Sequence, residues 1–141
     1  MQAHATEELY VMLLRRTFLT SAIIALSYPA LAQGHSHAAP NGGQIVNIGK
    51  LEAEMVVRGG EISLFLTDSK DMKVDASPYS AIAMVLAKGN EQKTVELTPS
   101  GDNRLAGKFD FVVEGRFRAT VTLKGKDGEI GKGRYTTDIK R

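Results

Sequence analysis

The chain contains neither cysteine nor tryptophan. Without cysteine there are no disulfides and no zinc sites built on thiolates, so the apolar core must supply the stability of the fold by itself. Antibody domains are marked by a cysteine pair and a buried tryptophan, and this chain has neither. Because aromatic residues make up only 6% of the chain, few stacking faces are present, and a sugar-binding module is a weak choice.

Histidine is scarce as well, with three in the whole chain and none from residue 38 onward. A serine or cysteine nucleophile activated by histidine therefore cannot form in the body of the chain. Glu52 and Glu54 remain as a carboxylate pair that could serve hydrolysis, because their spacing places both on one face of a strand. Such pairs are routine on half-exposed strands, so the composition predicts a protein that is not an enzyme.

The chain also lacks a dominant charge and a long hydrophobic run. Its 18 lysines and arginines face 16 aspartates and glutamates, a net charge of +2, and this mixed balance does not indicate a nucleic-acid partner. The apolar stretch Phe18–Leu26 is broken by Ser27 and Pro29, well short of the roughly 20 apolar residues that a membrane-spanning helix needs. A retained membrane anchor is therefore not expected.

This short apolar stretch lies between Arg15-Arg16 and Ala30-Leu31-Ala32, which is the layout of an export signal. We interpret residues 1–32 as a signal peptide that is cleaved after Ala32, with Met12 as an alternative start. The arginine pair followed by Phe18-Leu19 is similar to a twin-arginine signal, and an ordinary secretory signal is the alternative. Either route predicts a periplasmic protein without a transmembrane anchor after cleavage.

From residue 44 onward, short apolar alternations are separated by turn residues. A tight hairpin is predicted where two glycines, Gly59-Gly60, separate the alternating segments Leu51–Val57 and Ile62–Leu66. About seven or eight such strands in roughly 100 residues indicate an all-β fold, a two-sheet antiparallel sandwich of immunoglobulin-like topology, with a small barrel as the alternative. We expect residues 33–43 to be a flexible lead-in that contains histidine and residues 44–141 to be a single β-sandwich domain.

Two further segments bear on possible binding sites. Ala81–Ala87 is almost entirely apolar, which predicts a central strand covered on both faces. We therefore expect Met84 to lie in the core, and the alternation around Met55 predicts the same for Met55. Asp68–Asp75 contains three acids, but it lacks the ligand spacing and central glycine of a calcium loop, so we interpret it as a turn. The role of Met72 within that turn stays open.

The lead-in carries the candidate metal ligands. Cleavage after Ala32 makes His35 the third residue of the mature protein, so the amine of Gln33, two backbone amides and the imidazole form a square-planar nitrogen set. Cu(II) and Ni(II) favour this geometry. His37 offers a further ligand, and the alternative is that both histidines only keep a tail soluble. The predicted metal-binding residues are Gln33, His35 and His37.

A resemblance supports this interpretation. The residues that carry it are His35-Ser36-His37-Ala38-Ala39-Pro40-Asn41-Gly42-Gly43-Gln44-Ile45-Val46, followed by Gly49 and the strand Leu51–Val57. This opening resembles that of small periplasmic proteins and of the periplasmic adaptor subunits of heavy-metal efflux pumps, which often pair a histidine-rich lead with a β-rich domain. Asn41 and Glu52 stand where that family often has histidine, so the resemblance carries over only His35 and His37.

Two functions follow as expectations. The first is a small, exported, non-enzymatic periplasmic protein that binds or senses a transition metal, copper above all, through its N-terminal tail, with an envelope or efflux-system protein as partner. The second is a metal-independent interaction domain of the cell envelope. It would dock through a sheet edge or through the face that carries Arg116, Arg118 and Lys124. The alternative is that these basic residues only keep a strand surface solvated.

Overall fold

The computed structural model describes residues 38–141, which form nine β-strands and one short 3-10 segment, Lys88–Asn90. Within this range no helix has the length and apolar character needed to cross a bilayer. The all-β class predicted from the sequence is therefore confirmed. In chain order the strands are β1 (Gln44–Ile48), β2 (Leu51–Arg58), β3 (Glu61–Thr67), β4 (Ser80–Leu86), β5 (Gln92–Pro99), β6 (Arg104–Lys108), β7 (Phe117–Gly125), β8 (Gly128–Thr137) and β9 (Ile139–Lys140).

The strands form one continuous sheet that nearly closes into a barrel. Their order is β1-β2-β3-β6-β5-β4-β7-β8, with antiparallel neighbours, and the short β9 pairs in parallel with β2. Strand β5 joins the two halves, because residues 92–97 pair with β4 whereas residues 98–99 pair with β6. At the ends of the order, the Gln44 side-chain oxygen accepts a 2.7 Å hydrogen bond from the Thr136 amide. The small barrel, kept as the alternative to a sandwich, fits this arrangement.

The interior of the barrel is built from the alternating apolar positions that the sequence predicts. The inner positions of β2, β3, β4 and β7 are closed to water, as expected for strands with a covered face. Tyr135 adds a polar contact inside, where its hydroxyl donates a 3.0 Å hydrogen bond to the Ala53 carbonyl oxygen across the core. The predicted inward residues that are fully or almost fully buried include Ala53, Met55, Val57, Ile62, Leu64, Leu66, Phe117, Ala119, Val121 and Leu123.

The predicted hairpin joins β2 to β3, with Arg58 paired to Glu61 across the turn. Gly59 has a φ of 55°, the left-handed conformation that glycine adopts without a steric penalty. Gly60 is required for a different reason. A Cβ atom there would lie 2.7 Å from the Phe109 carbonyl oxygen, and the Gly60 carbonyl oxygen accepts a 2.8 Å hydrogen bond from the Phe109 amide.

The expectation that β4 is covered on both faces is wrong. The strand is central in its pairing, between β5 and β7, but only its small residues Ala81, Ala83 and Val85 point into the core. Met84 lies on the outer face with 48% of its surface exposed, so its predicted place in the core is also wrong. On β4 the interior thus takes the smaller side chains, and the larger ones face outward.

The acidic segment after β3 forms a turn, as the sequence indicates. One Asp68 carboxylate oxygen accepts hydrogen bonds from the backbone amides of Lys70 at 2.8 Å and Met72 at 3.0 Å. The bonds from Met72 and then Lys70 stabilise the charged form and lower the pKa of Asp68. The Met72 side chain is 63% exposed, so it belongs to the surface.

Candidate functional site

A cleft of about 760 Å³ opens on the outer face of β2 and β3. We call it the lead-in cleft, because one of its walls is the last part of the lead-in, Ala38 to Asn41. The other walls are the turn after β3 and the turn between β5 and β6, which carries Asp102. The cleft therefore lies where the N-terminal segment reaches the barrel. Side chains that line it from the sheet are those of Ile45, Glu52, Glu54, Phe65, Thr67 and Arg104.

Glu54 anchors the lead-in to this surface. It stands on β2 between Ile45 of β1 and Phe65 of β3, which are its register partners. Its carboxylate accepts hydrogen bonds from the Asn41 amide at 2.9 and 3.2 Å, from the Asn41 side-chain nitrogen at 2.9 Å and from the Gly43 amide at 2.8 Å. Hydrogen bonds to a charged group are the strong ones, so this Glu54 anchor holds the segment firmly.

The anchor also covers the carboxylate, since only 4% of the Glu54 surface is exposed. A buried charge is tolerated when hydrogen bonds replace its hydration, and here both carboxylate oxygens have donors. Gly43 makes the close approach possible, because a Cβ atom there would overlap the Met55 carbonyl oxygen and press on Val56. The sequence Asn41-Gly42-Gly43 is therefore matched to the glutamate beneath it.

Two cationic side chains of the cleft, Lys73 and Arg104, contact polar groups at or near its rim. Lys73 and Asp102 form a 2.9 Å ion pair on the rim, with about two thirds of each side chain exposed, so the pair contributes little to stability. Arg104 donates a 2.8 Å hydrogen bond to the Ser100 hydroxyl. Its guanidinium also lies 3.6 Å from a Glu61 carboxylate oxygen. These polar contacts hold Lys73 and Arg104 in place beside the cleft.

Asn103 fixes the turn that forms the far wall. It is buried, and its side-chain nitrogen donates a 2.9 Å hydrogen bond to the Leu66 carbonyl oxygen. The Leu66 amide in turn donates a 2.8 Å hydrogen bond to the Asn103 carbonyl oxygen. These two bonds tie the turn to β3, so the cleft has a firm wall opposite the lead-in.

The predicted metal-binding residues Gln33, His35 and His37 lie outside the described residues. The described chain begins at Ala38, the residue that follows His37 in sequence and that lines the cleft. From there to the C-terminus, no group of three histidine, cysteine or acidic side chains is placed to hold a metal ion. The carboxylate pair separates into a buried Glu54 and a half-buried Glu52.

The residues named for a docking face lie in different surroundings. Arg116 donates a 3.1 Å hydrogen bond to the Asp138 carboxylate and a 3.0 Å bond to the Thr136 carbonyl oxygen. Arg118 and Lys124 both project outward from β7, where Arg118 is exposed and Lys124 half-buried. The sequence reasoning missed Arg134, which joins Arg118 on the same face. Alternation along β8 is the signal that could have found it.

Comparisons of the chain with protein families, with curated proteins and with solved structures found no match.

Proposed function

We propose that this chain is an exported, non-enzymatic periplasmic protein that binds Cu(II) or Ni(II) through its N-terminal tail. The ligands would be the Gln33 amine, the intervening backbone amides and the His35 imidazole, with His37 as a further ligand. Four nitrogen donors of this kind suit the square-planar preference of both metals. An envelope or efflux-system protein would receive or deliver the metal.

The Glu54 anchor is the observation that carries the proposal. It attaches Asn41 and Gly43 to the barrel through hydrogen bonds of 2.8–3.2 Å, and these residues follow the histidines closely in sequence. The barrel thereby holds Asn41 and Gly43, which follow the proposed ligands in sequence, at a defined position beside the lead-in cleft. A tail that serves only solubility does not require a buried carboxylate that holds the residues following it.

A titration of Cu(II) into the mature protein tests the proposal. The protein must begin at Gln33 with a free amine, which mass spectrometry verifies, because a cyclised glutamine lacks the amine. We expect one equivalent of Cu(II) per chain to bind with the visible absorption band of a square-planar nitrogen site. His35→Ala should lose this band, because the imidazole completes the set.

The matched control keeps both histidines and changes only their distance from the N-terminal amine. One alanine added before Gln33 moves His35 to the fourth place, so the nitrogen set of the third-position histidine is lost while both histidines stay. We expect this variant to behave like His35→Ala. Equal, weak binding by the mature protein and both variants would overturn the proposal.

A further inference from the structure

The outer face of β4, β5, β7 and β8 carries an excess of positive charge. We call it the basic face. Alternation along the strands brings four cations to it, two from β7 and two from β8, against two acids, Glu96 of β5 and Glu129 of β8, the register partner of Lys124. The cations are Arg118, Lys124, Lys132 and Arg134. This face lies on strands of the barrel different from those that carry the lead-in cleft.

A shallow hollow lies within the basic face. It has a volume of about 260 Å³ and is lined by Met84 and Leu86 of β4 together with polar side chains of the neighbouring strands. The register partners of Met84 are Thr94 on β5 and Thr120 on β7. These short side chains leave the methionine standing between them, with 48% of its surface exposed. The hollow can therefore take one apolar side chain against Met84.

Two arginines border the hollow, and neither has a counter-charge within the described part of the chain. Arg134 pairs in register with Thr120, and Arg118 with Thr136, so the two guanidinium groups occupy diagonal positions on adjacent strands. Among residues 38–141, Arg116 and Lys132 are ion-paired, whereas neither Arg118 nor Arg134 makes an ion pair. Diagonal neighbours lie within reach of long side chains, and like charges there repel each other. A ligand with negative charge between them would remove this repulsion.

The chemistry of the hollow identifies the occupant. Guanidinium groups bind carboxylates with two parallel hydrogen bonds, and arginine and methionine are enriched at the centres of protein interfaces. We propose that the basic face docks an acidic segment of a partner protein, with one apolar side chain in the hollow over Met84 and flanking carboxylates on Arg118 and Arg134. This inference does not depend on the metal-binding tail.

The test uses the mature protein and a panel of synthetic peptides with a fluorescent label. In each peptide a central leucine, phenylalanine or tyrosine is flanked by aspartate and glutamate, and the companion peptides carry asparagine and glutamine instead. Fluorescence anisotropy should show saturable binding of at least one acidic peptide and none of its neutral companion. The double variant Arg118→Gln/Arg134→Gln should weaken that binding about tenfold or more, and Met84→Ser should weaken it severalfold.

The matched control removes two charges elsewhere. Arg58 and Lys108 are exposed on β2 and β6, and Arg58→Gln/Lys108→Gln gives the same net charge as the first double variant. We expect it to change the affinity by less than about twofold, since remote surface charges are largely screened at physiological salt. Equal weakening by both double variants would refute the proposal, as would the absence of saturable binding across the panel. Binding to anionic phospholipid vesicles but to no peptide would also refute it.

Discussion

Glu54 differs from its neighbour Glu52 through contacts that lie far apart in sequence. Both are glutamates on the outer side of β2, two residues apart, and alternation alone assigns them the same surroundings. Only the return of Asn41 and Gly43 over the strand buries one carboxylate and leaves the other on the cleft wall. The distinction could not be predicted from the sequence, because it depends on where the lead-in lies after β1 has paired with β2.

Replacing Glu54 with glutamine should therefore destabilise the protein, whereas the same change at Glu52 should not. The amide keeps the volume, but it loses the charge and turns one acceptor oxygen into a donor that faces other donors. We expect Glu54→Gln to lower the free energy of unfolding by about 1–3 kcal/mol and Glu52→Gln by less than about 0.5 kcal/mol, measured by urea denaturation. Equal stability of the two variants would mean that the carboxylate does not hold the lead-in.

At the scale of the elements, the strands and the β2–β3 hairpin could be predicted from the sequence. Which face of a strand is buried could not be predicted for every strand. The faces of β2, β3 and β7 follow their alternation. Strand β4 does not, because a run in which both faces are apolar gives no signal for which face turns inward. Ala81, Ala83 and Val85 pack inside the barrel there, and this leaves Met84 outside. The hollow over Met84 depends on that outcome.

The close packing of β6 against β5 depends on Gly107. A Cβ atom at this position would overlap the Glu96 carbonyl oxygen and would press on the Leu97 and Val95 side chains. We expect Gly107→Ala to cost about 1–3 kcal/mol of stability, as overpacking does, and to lower the urea midpoint. Lys108→Ala, an exposed neighbour on β6, is the control and should stay close to the wild type. A more stable Gly107→Ala protein would show that the two strands have room to separate.

At the scale of the whole molecule, the barrel is held by contacts between residues that are distant in sequence. Tyr135 of β8 reaches across the interior to the Ala53 carbonyl oxygen of β2. Burial raises the pKa of the Tyr135 hydroxyl well above its ordinary value of 10.0, because the ionised form would lose its hydration. A group whose pKa is raised by folding stabilises the folded state fully below its unfolded pKa, and this stabilisation is lost as the pH rises toward the folded value.

Stability should therefore fall in alkaline solution through Tyr135. Above about pH 10 the unfolded chain releases the tyrosine proton and the folded chain retains it, so the free energy of unfolding falls by up to about 1.4 kcal/mol per pH unit from this group. Tyr135→Phe should be about 1 kcal/mol less stable at pH 8, but it lacks this decline. Urea denaturation of both proteins at several pH values from 8 to above 11 measures the difference. Parallel curves would contradict the prediction.

The sequence by itself determined what local patterns encode: an all-β chain, the faces of most strands, the β2–β3 hairpin and an acidic turn. Alternation and turn residues act over a few neighbours, so these features need no knowledge of distant segments. The tertiary structure alone decided that the sheet nearly closes into a barrel, that Glu54 is buried and that Met84 is exposed. Each of these depends on which distant strands and segments meet, and that is settled only when β1 approaches β8 and the lead-in crosses β2.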